Sequence, residues 1–460
     1  MSTQTVVANP LGTERVGRLM VRYAIPSIIS IVVNSLYNMV DQIFIGQGVG
    51  YLGNAATNVI LPLTSILLAL GLLIGDGTAS YMSLNLGKGK NHAAAYGVGN
   101  AISLTVGTSV ILLILFEIFL EPLCRLFGAT DTALPYALEY GKIIVLGFPF
   151  AMIDAGFGSI IRADGRPRAS MAGLLIGCIT NIILDPIFIF VCHWGVAGAA
   201  WATIIGQILN TVYFVACMLR FKTVQLHKEH LKPQASVMKK VLTLGTSSFI
   251  TQIASVFVIA VMNNSLVKYG ALSKYGADIP LAALGITMKV SQLITGISLG
   301  IATGIQPILG FNYGSGQFDR VKKTYKLALL SSTIILIVAF LIFQFWPEYI
   351  IALFGQESDL YMEFAVKCFR IYLLACFAIG AGGVTGIFFQ AIGRPVPAAL
   401  LSLSRQIIFL IPAMLIFGAL MGVEGVLWAG PFSDGLSAVV SLITVGACWK
   451  GIFNKGGENQ

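Results

Sequence analysis

Residues 27–46 read SIISIVVNSLYNMVDQIFIG. At 1.5 Å per residue such a run makes ~30 Å of α-helix, the hydrocarbon thickness of a bilayer. It holds no Lys or Arg and a single acid, Asp41. Its polar residues are ordered: Asn34, Tyr37, Asn38 and Asp41 recur at steps of three and four, so they share one helical face. An ionisable residue inside a span costs at least ~2.5 kcal/mol on insertion scales, and therefore faces a partner, water or a site. The stretch reads as a transmembrane helix with a functional stripe.

Eleven more apolar stretches extend the pattern. The twelve run near 17–45, 55–80, 93–117, 133–160, 168–191, 196–219, 240–267, 280–308, 321–345, 360–390, 397–420 and 425–449. The fold class is therefore an all-α polytopic membrane protein. Composition agrees: of 460 residues 56% are apolar and 11% charged, with a mean hydropathy of +0.84, where a soluble domain carries about 25% charged residues. A water-soluble enzyme of this size is excluded, and long runs without alternation exclude an outer-membrane β-barrel. The net charge of +9 does not point to nucleic acid, because the basic residues are dispersed over short loops. Of 29 Lys and Arg, 21 fall on one set of loops and ends, from Arg15, Arg18 and Arg22 to Lys450 and Lys455. The opposite loops hold Arg125, Lys268 and Lys274. By the positive-inside rule both termini are expected in the cytoplasm.

The most polar long segment, LRFKTVQLHKEHLKPQASVMKK at 219–240, divides the spans into two sets of six. The expected organisation is an N-terminal lobe at 1–219 (helices 1–6), a cytoplasmic linker at 220–239 and a C-terminal lobe at 240–460 (helices 7–12). The halves are repeats. Asn85-Leu-Gly-Lys-Gly matches Asn312-Tyr-Gly-Ser-Gly, Leu126-Phe-Gly matches Leu353-Phe-Gly, and Gly165-Arg-Pro matches Gly393-Arg-Pro. Gly195-Val-Ala-Gly-Ala-Ala-Trp-Ala matches Gly422-Val-Glu-Gly-Val-Leu-Trp-Ala. Six spans per repeat give both halves the same orientation, related by a pseudo-two-fold along the membrane normal. Transporters use such repeats to frame a site between rocking halves. A channel would need a filter-like loop or a ring of charges, and neither is seen.

Four helices of the first half carry oxygen-bearing side chains at one level. Asp41 precedes the glycine-rich outer loop by about five residues; Asn181 and Asp185 on helix 5 are i and i+4; Thr203, Gln207 and Asn210 share a face of helix 6; Tyr140 lies on helix 4. Pro186 removes a backbone N–H and frees the carbonyl of Ile182. Two acids at one depth can share a proton or bind a hard cation through carboxylate, amide and hydroxyl oxygens. A structural hydrogen-bond cluster tying helices 1, 5 and 6 is the alternative. The second half lacks the counterpart, since Asp185 aligns close to Ile411 and Asp41 falls near Met262–Asn264. Asp76 and Asp154 are expected near cytoplasmic helix ends, Lys289 and Asp434 at depths that permit an ion pair, and Arg405 directed towards the cytoplasm. The seven cysteines form no CxxC and read as small apolar fillers. His92, His193, His227 and His230 lack metal-ligand spacing, so no structural metal and no enzyme chemistry are expected.

The two six-span repeats, the Gly-Arg-Pro at both inner loops, Pro26 and Asp41 on helix 1, and Asn181 with Asp185-Pro186 on helix 5 resemble the multidrug and toxic compound extrusion (MATE) family, most of all its DinF/MepA-like prokaryotic branch. The likeness spans about 15 to 450. It implies a multi-pass antiporter of a prokaryotic cytoplasmic (inner) membrane, with two six-helix lobes enclosing a V-shaped cavity. Inward H+ or Na+ would drive export of small amphipathic or cationic drugs, a route to antibiotic resistance. The resemblance carries the proton- or cation-binding site over to Asp41, Asn181, Asp185 and Thr203, which would also hold Na+ if that is the coupling ion. It makes Tyr37 and Tyr140 hydrogen-bonding neighbours and Pro26 the point where helix 1 bends. Asn34, Asn38, Gln207 and Asn210 complete the candidates for supporting the site or lining the cavity. No cofactor beyond the coupling ion is expected, the partners are substrate and lipid bilayer rather than nucleic acid, and a monomer is expected. The NorM-like branch also uses acids in the C-terminal lobe, where helix 7 here has Asn263 and Asn264. The rival reading is a lipid-linked oligosaccharide flippase of the same superfamily, which would hold a pyrophosphate with mid-span Arg and Lys; this chain has few.

Overall fold

The computed structural model describes residues 9–453 apart from 277 and 353–357. The Leu353-Phe-Gly copy of the repeat and Lys455 lie outside the described residues. The described chain is helical, with no strand. We number the long helices α1 (Val16–Gly48), α2 (Tyr51–Gly87), α3 (Asn91–Ile118), α4 (Leu134–Leu146 and Phe148–Ala163), α5 (Pro167–Pro186) and α6 (Gly195–Met218). They continue as α7 (Ala235–Gly270), α8 (Asp278–Gly314), α9 (Phe318–Phe345), α10 (Asp359–Tyr372 and Cys376–Ala391), α11 (Pro395–Leu403 and Ile411–Met421) and α12 (Val423–Phe453). Ten described helices are long and apolar enough to cross a membrane, and the bent pairs of α4 (58°) and α10 (46°) raise the number to twelve.

The repeated motifs are where the backbone must reverse. Gly89 and Gly316, Gly128, Gly165 and Gly393, and Gly195 and Gly422 all have positive φ, between 56° and 94°. Glycine enters that region without a Cβ clash. In both Gly-Arg-Pro copies the glycine ends one helix and the proline opens the next at its first residue, where the missing N–H costs nothing. The arginine ties the turn down. Arg166 donates to Asp164 Oδ2 at 2.7 Å and to the Cys217 carbonyl at 2.5 Å. Arg394 donates to the Gly451 carbonyl at 2.8 Å. Buried Asp164 also accepts from the backbone of Lys222 and Thr223 and from the Thr223 hydroxyl at 2.7 Å, which fixes the start of the linker.

The chain parts into two compact units. The first comprises 1–249 with 303–324 and 390–393; the second comprises 250–302, 325–389 and 394–460. The first packs Ile60, Leu63, Phe148, Met152 and Phe214 into its core. The second packs Phe364, Phe369, Met414 and Leu427.

Within the first unit, α2, α4 and the opening of α7 are clasped by a buried acid. Asp76 accepts from Ser159 at 2.6 Å and from Ser248 at 2.7 Å, and Arg162 donates to Ser159 at 2.7 Å. Gln390 reaches Ser248 at 3.1 Å and the Leu244 carbonyl at 3.0 Å. Gln306 donates to Ser80 at 3.0 Å. Glycines bring these helices together: a Cβ on Gly245 would fall onto the Leu73 carbonyl, and one on Gly77 onto that of Val241. Asp76 thus sits inside a polar clasp rather than at a wet helix end.

Candidate functional site

α1 runs unbroken through Pro26, with Ser30 donating to the Pro26 carbonyl at 2.9 Å. This delivers Asp41, 8% exposed, against α5. On α5, Asn181 and Asp185 are stacked by their four-residue spacing, both buried, Asp185 completely. Past Pro186 the helix loosens into a π-turn, Ile187–Val191, where the i→i−4 ladder cannot continue.

Asn181 is the junction of the site. With its NH2 turned to the acid, Nδ2 lies 2.8 Å from Asp185 Oδ2, and its carbonyl accepts from the Thr203 hydroxyl at 3.1 Å and the Thr203 amide at 3.2 Å. The carboxyls of Asp41 and Asp185 come within hydrogen-bonding reach of one another. Tyr37 and Tyr140 stand beside both acids. Asp41 Oδ1 is buried and has no hydrogen-bond partner among the described residues. Two carboxyls that close, with no Lys or Arg paired to either among the described residues, need a proton or a small cation between them. The orphaned Oδ1 fits either ion.

The expected cluster of Asp41, Asn181, Asp185 and Thr203, with Tyr37 and Tyr140, is thus assembled. Gln42 adjoins it: the Thr57 hydroxyl donates to Gln42 Oε1 at 3.3 Å, which leaves its NH2 free to serve Asp41 nearby. Its place one residue after Asp41 was the available signal. Gln207 instead sits at the α4 bend, beside Gly147. Asn34 and Asn38 are exposed on α1 rather than inside the cluster, and Asn38 donates back to the Asn34 carbonyl at 2.6 Å. Asn210, seven residues beyond Thr203, lies two helical turns or ~10 Å away and belongs to another group.

The expected Lys289–Asp434 ion pair is not formed. Lys289 is exposed on α8, and buried Asp434 accepts from Arg405 Nε at 2.9 Å. The π-helical stretch Ser404–Leu410 inside α11 packs on α12 and carries Arg405, which reaches Asp434 on that helix. Tyr372 of α10 lies beside the pair. Equal depth, which sequence counting gives, does not fix the azimuth.

The histidines gather more than their spacing foretold. His92, Glu229 and His230 bring one ligand atom each within 4.8 Å of one another. The chemistry does not suit a metal, however. His230 Nδ1 accepts from the His227 amide at 3.0 Å, so Nε2 carries the proton in the neutral ring and has no lone pair to offer. Burial lowers the pKa of His230, which holds the ring neutral.

Comparison with known proteins places this geometry. The MatE family model matches residues 26–187 and 253–416, more than half of the chain. The multidrug export protein MepA of Staphylococcus aureus (strain MSSA476) is 25% identical over 429 residues, covering 93% of both chains. That of Staphylococcus haemolyticus (strain JCSC1435) is 25% identical over 433 residues, again covering 93% of each. A crystal structure of MATE in the straight conformation superposes with a TM-score of 0.90 at 21% identity, covering 96% of this chain and 98% of that one. An outward-facing multidrug resistance MATE family transporter of the MOP superfamily gives 0.89 at 22% identity, with the same coverage.

Proposed function

This chain belongs to the MatE family, and from that premise we propose that it is a secondary antiporter that exports small amphipathic or cationic compounds across a prokaryotic cytoplasmic membrane, driven by inward H+ or Na+ through Asp41 and Asp185. The observation that carries the reading is the contact between two buried carboxyls on different helices, one with an unpartnered oxygen. Its relatives named as multidrug export proteins support the substrate class.

The mechanism follows from charge. With the site empty, two adjacent carboxylates repel and favour a cationic substrate in the lobe. A proton or Na+ bridging Asp41 and Asp185 cancels that charge and draws α1 onto α5. A ligand shifts such a balance only by its differential affinity for the two states, and here that difference is the removal of a buried like-charge pair. Asn181 serves both states, because its amide bridges Asp185 and Thr203 and holds α5 to α6 while α1 moves. The flippase alternative needs uncompensated cations in the span, and Arg405 is already neutralised by Asp434.

The test is transport by the purified protein in proteoliposomes under separately imposed proton and sodium gradients. Asp41→Asn is expected to insert normally and to lose gradient-driven efflux of ethidium. Efflux at the wild-type rate by that variant would end the assignment.

A further inference from the structure

The first unit contains another acid that the Asp41–Asp185 pair does not use. Asp154 stands on the second arm of α4, nine residues before its end at Ala163, ~13 Å into the helix and not at its tip. The Thr211 hydroxyl of α6 lies 3.1 Å from Asp154 Oδ1 and 3.3 Å from the Phe150 carbonyl. The Asn210 side chain lies near the same carboxyl. Asn210 is only 4% exposed, and its Oδ1 has no partner among the described residues. Cys178 of α5 is buried nearby. α2 also packs on this arm of α4, but its acid, Asp76, is engaged by Ser159 and Ser248. No Lys or Arg pairs with Asp154 among the described residues, so it is a membrane-embedded acid held by neutral groups alone.

Its neighbours continue the rows that begin at the first site. On α5 the row is Asp185, Asn181, Cys178; on α6 it is Thr203, Gln207, Asn210, with Thr211 beside it. Both descend by steps of three and four and so keep one face. Where the helices cross they are bare: a Cβ on Gly206 would stand 2.7 Å from the Gly177 carbonyl. The two rows are therefore held side by side over ~10 Å, two helical turns. Packing alone gives no reason for polar side chains to be stacked this way in a span.

We propose that Asp154 is a second proton-carrying carboxyl, in series with Asp41 and Asp185, reached along the polar seam between α5 and α6. The outer pair gives up a proton, which water molecules carry between the seam's side chains, and the Asp154 carboxylate accepts it. One carboxyl loses H+, the other gains it, and no other bond changes. Thr211 and Asn210 suit this role because the hydroxyl and amide offer both donors and acceptors, so charged and neutral Asp154 each find a partner. The inference rests on proton coupling through the outer pair.

The experiment follows ethidium and lumenal pyranine fluorescence together in proteoliposomes of the full-length protein. For Asp154→Asn, ethidium exchange without a gradient is expected to persist, while ethidium-coupled proton flux falls by about 100-fold. Asp154→Glu should recover part of that flux. Should Asp154→Asn fail to insert, Thr211→Val serves instead: loss of the hydroxyl's bond to the carboxylate should move the pH profile of coupled flux to the alkaline side by about one unit. Wild-type proton flux in Asp154→Asn, or an unmoved profile in Thr211→Val, overturns the inner station. If Asp41→Asn is inactive in the same assay, the outer site survives that result; if Asp41→Asn keeps coupled flux, the outer reading fails by itself.

Discussion

Asp434→Asn offers the sharpest check on the second unit. The substitution keeps the shape of the side chain but leaves Arg405 facing an amide in place of a carboxylate. Removing one partner of a buried ion pair costs about 3–5 kcal/mol, because the surviving charge is stranded. Arg405 retains 31% side-chain exposure, so water recovers part of that loss and about 3 kcal/mol is the fitting figure. One kcal/mol moves the melting temperature of a 150–250-residue domain by about 2–4 °C, and a longer chain by less. A drop of roughly 3–6 °C is expected, read as loss of the monodisperse peak in size-exclusion chromatography after heating in detergent. Arg405→Met should cost a similar amount, the double substitution Arg405→Met with Asp434→Leu should recover most of it, and Lys289→Ala should change nothing. A neutral Asp434→Asn, or a Lys289→Ala as harmful as Arg405→Met, would refute the pairing.

Three further outcomes follow. Asn181→Leu leaves Asp185 and Thr203 without their bridge, so about 1–3 kcal/mol of stability and gradient-driven ethidium efflux should both be lost; efflux at wild-type rate in reconstituted vesicles would contradict the junction role. Gly245→Val should abolish a stable product, judged by yield and monodispersity, because its side chain would collide with the backbone of α2 at Leu73, whereas Gly107→Ala, with open space around its Cβ position, should be tolerated. The linker should loosen in acid. His230 binds its proton more weakly when folded than its ordinary 6.5 because it is buried, so the unfolded segment takes up more protons and docking is lost as pH falls below about 6.5. Trypsin cleavage after Lys228, normalised at each pH to cleavage of an unstructured peptide, should accelerate between pH 7.5 and 5.5 in wild type and become pH-independent in His230→Gln.

Much of this was legible in the chain because the constraints are local. A left-handed turn needs glycine and a helix start tolerates proline, so both Gly-Arg-Pro loops announce themselves. Asn181 and Asp185 share a face because four residues make nearly one turn. What stayed hidden depended on departures from that ruler. The π-stretch at 404–410 rotates Arg405 towards Asp434, and no count at 100° per residue anticipates it. Asp154 meets the Thr211 hydroxyl of α6 through packing between helices, which counting from the loops does not give. His92 meets His230 only because Asn100 and Ser103 on α3 hold the carbonyls of the returning linker, Ser103 reaching Leu231 at 2.7 Å.

The first compact unit contains residues 303–324 and 390–393, which come from the second repeat. Asn312 and Arg320 there grip the backbone of Leu11, at 2.9 and 3.0 Å. A gene encoding only the first six spans would thus yield a body with an unfilled socket. The lending runs one way, because the second unit is built entirely from residues beyond 249, and a single polypeptide keeps the lent helix tips with the body they complete. In a split version expressed from two plasmids, the first half should accordingly depend on the second for survival in the membrane.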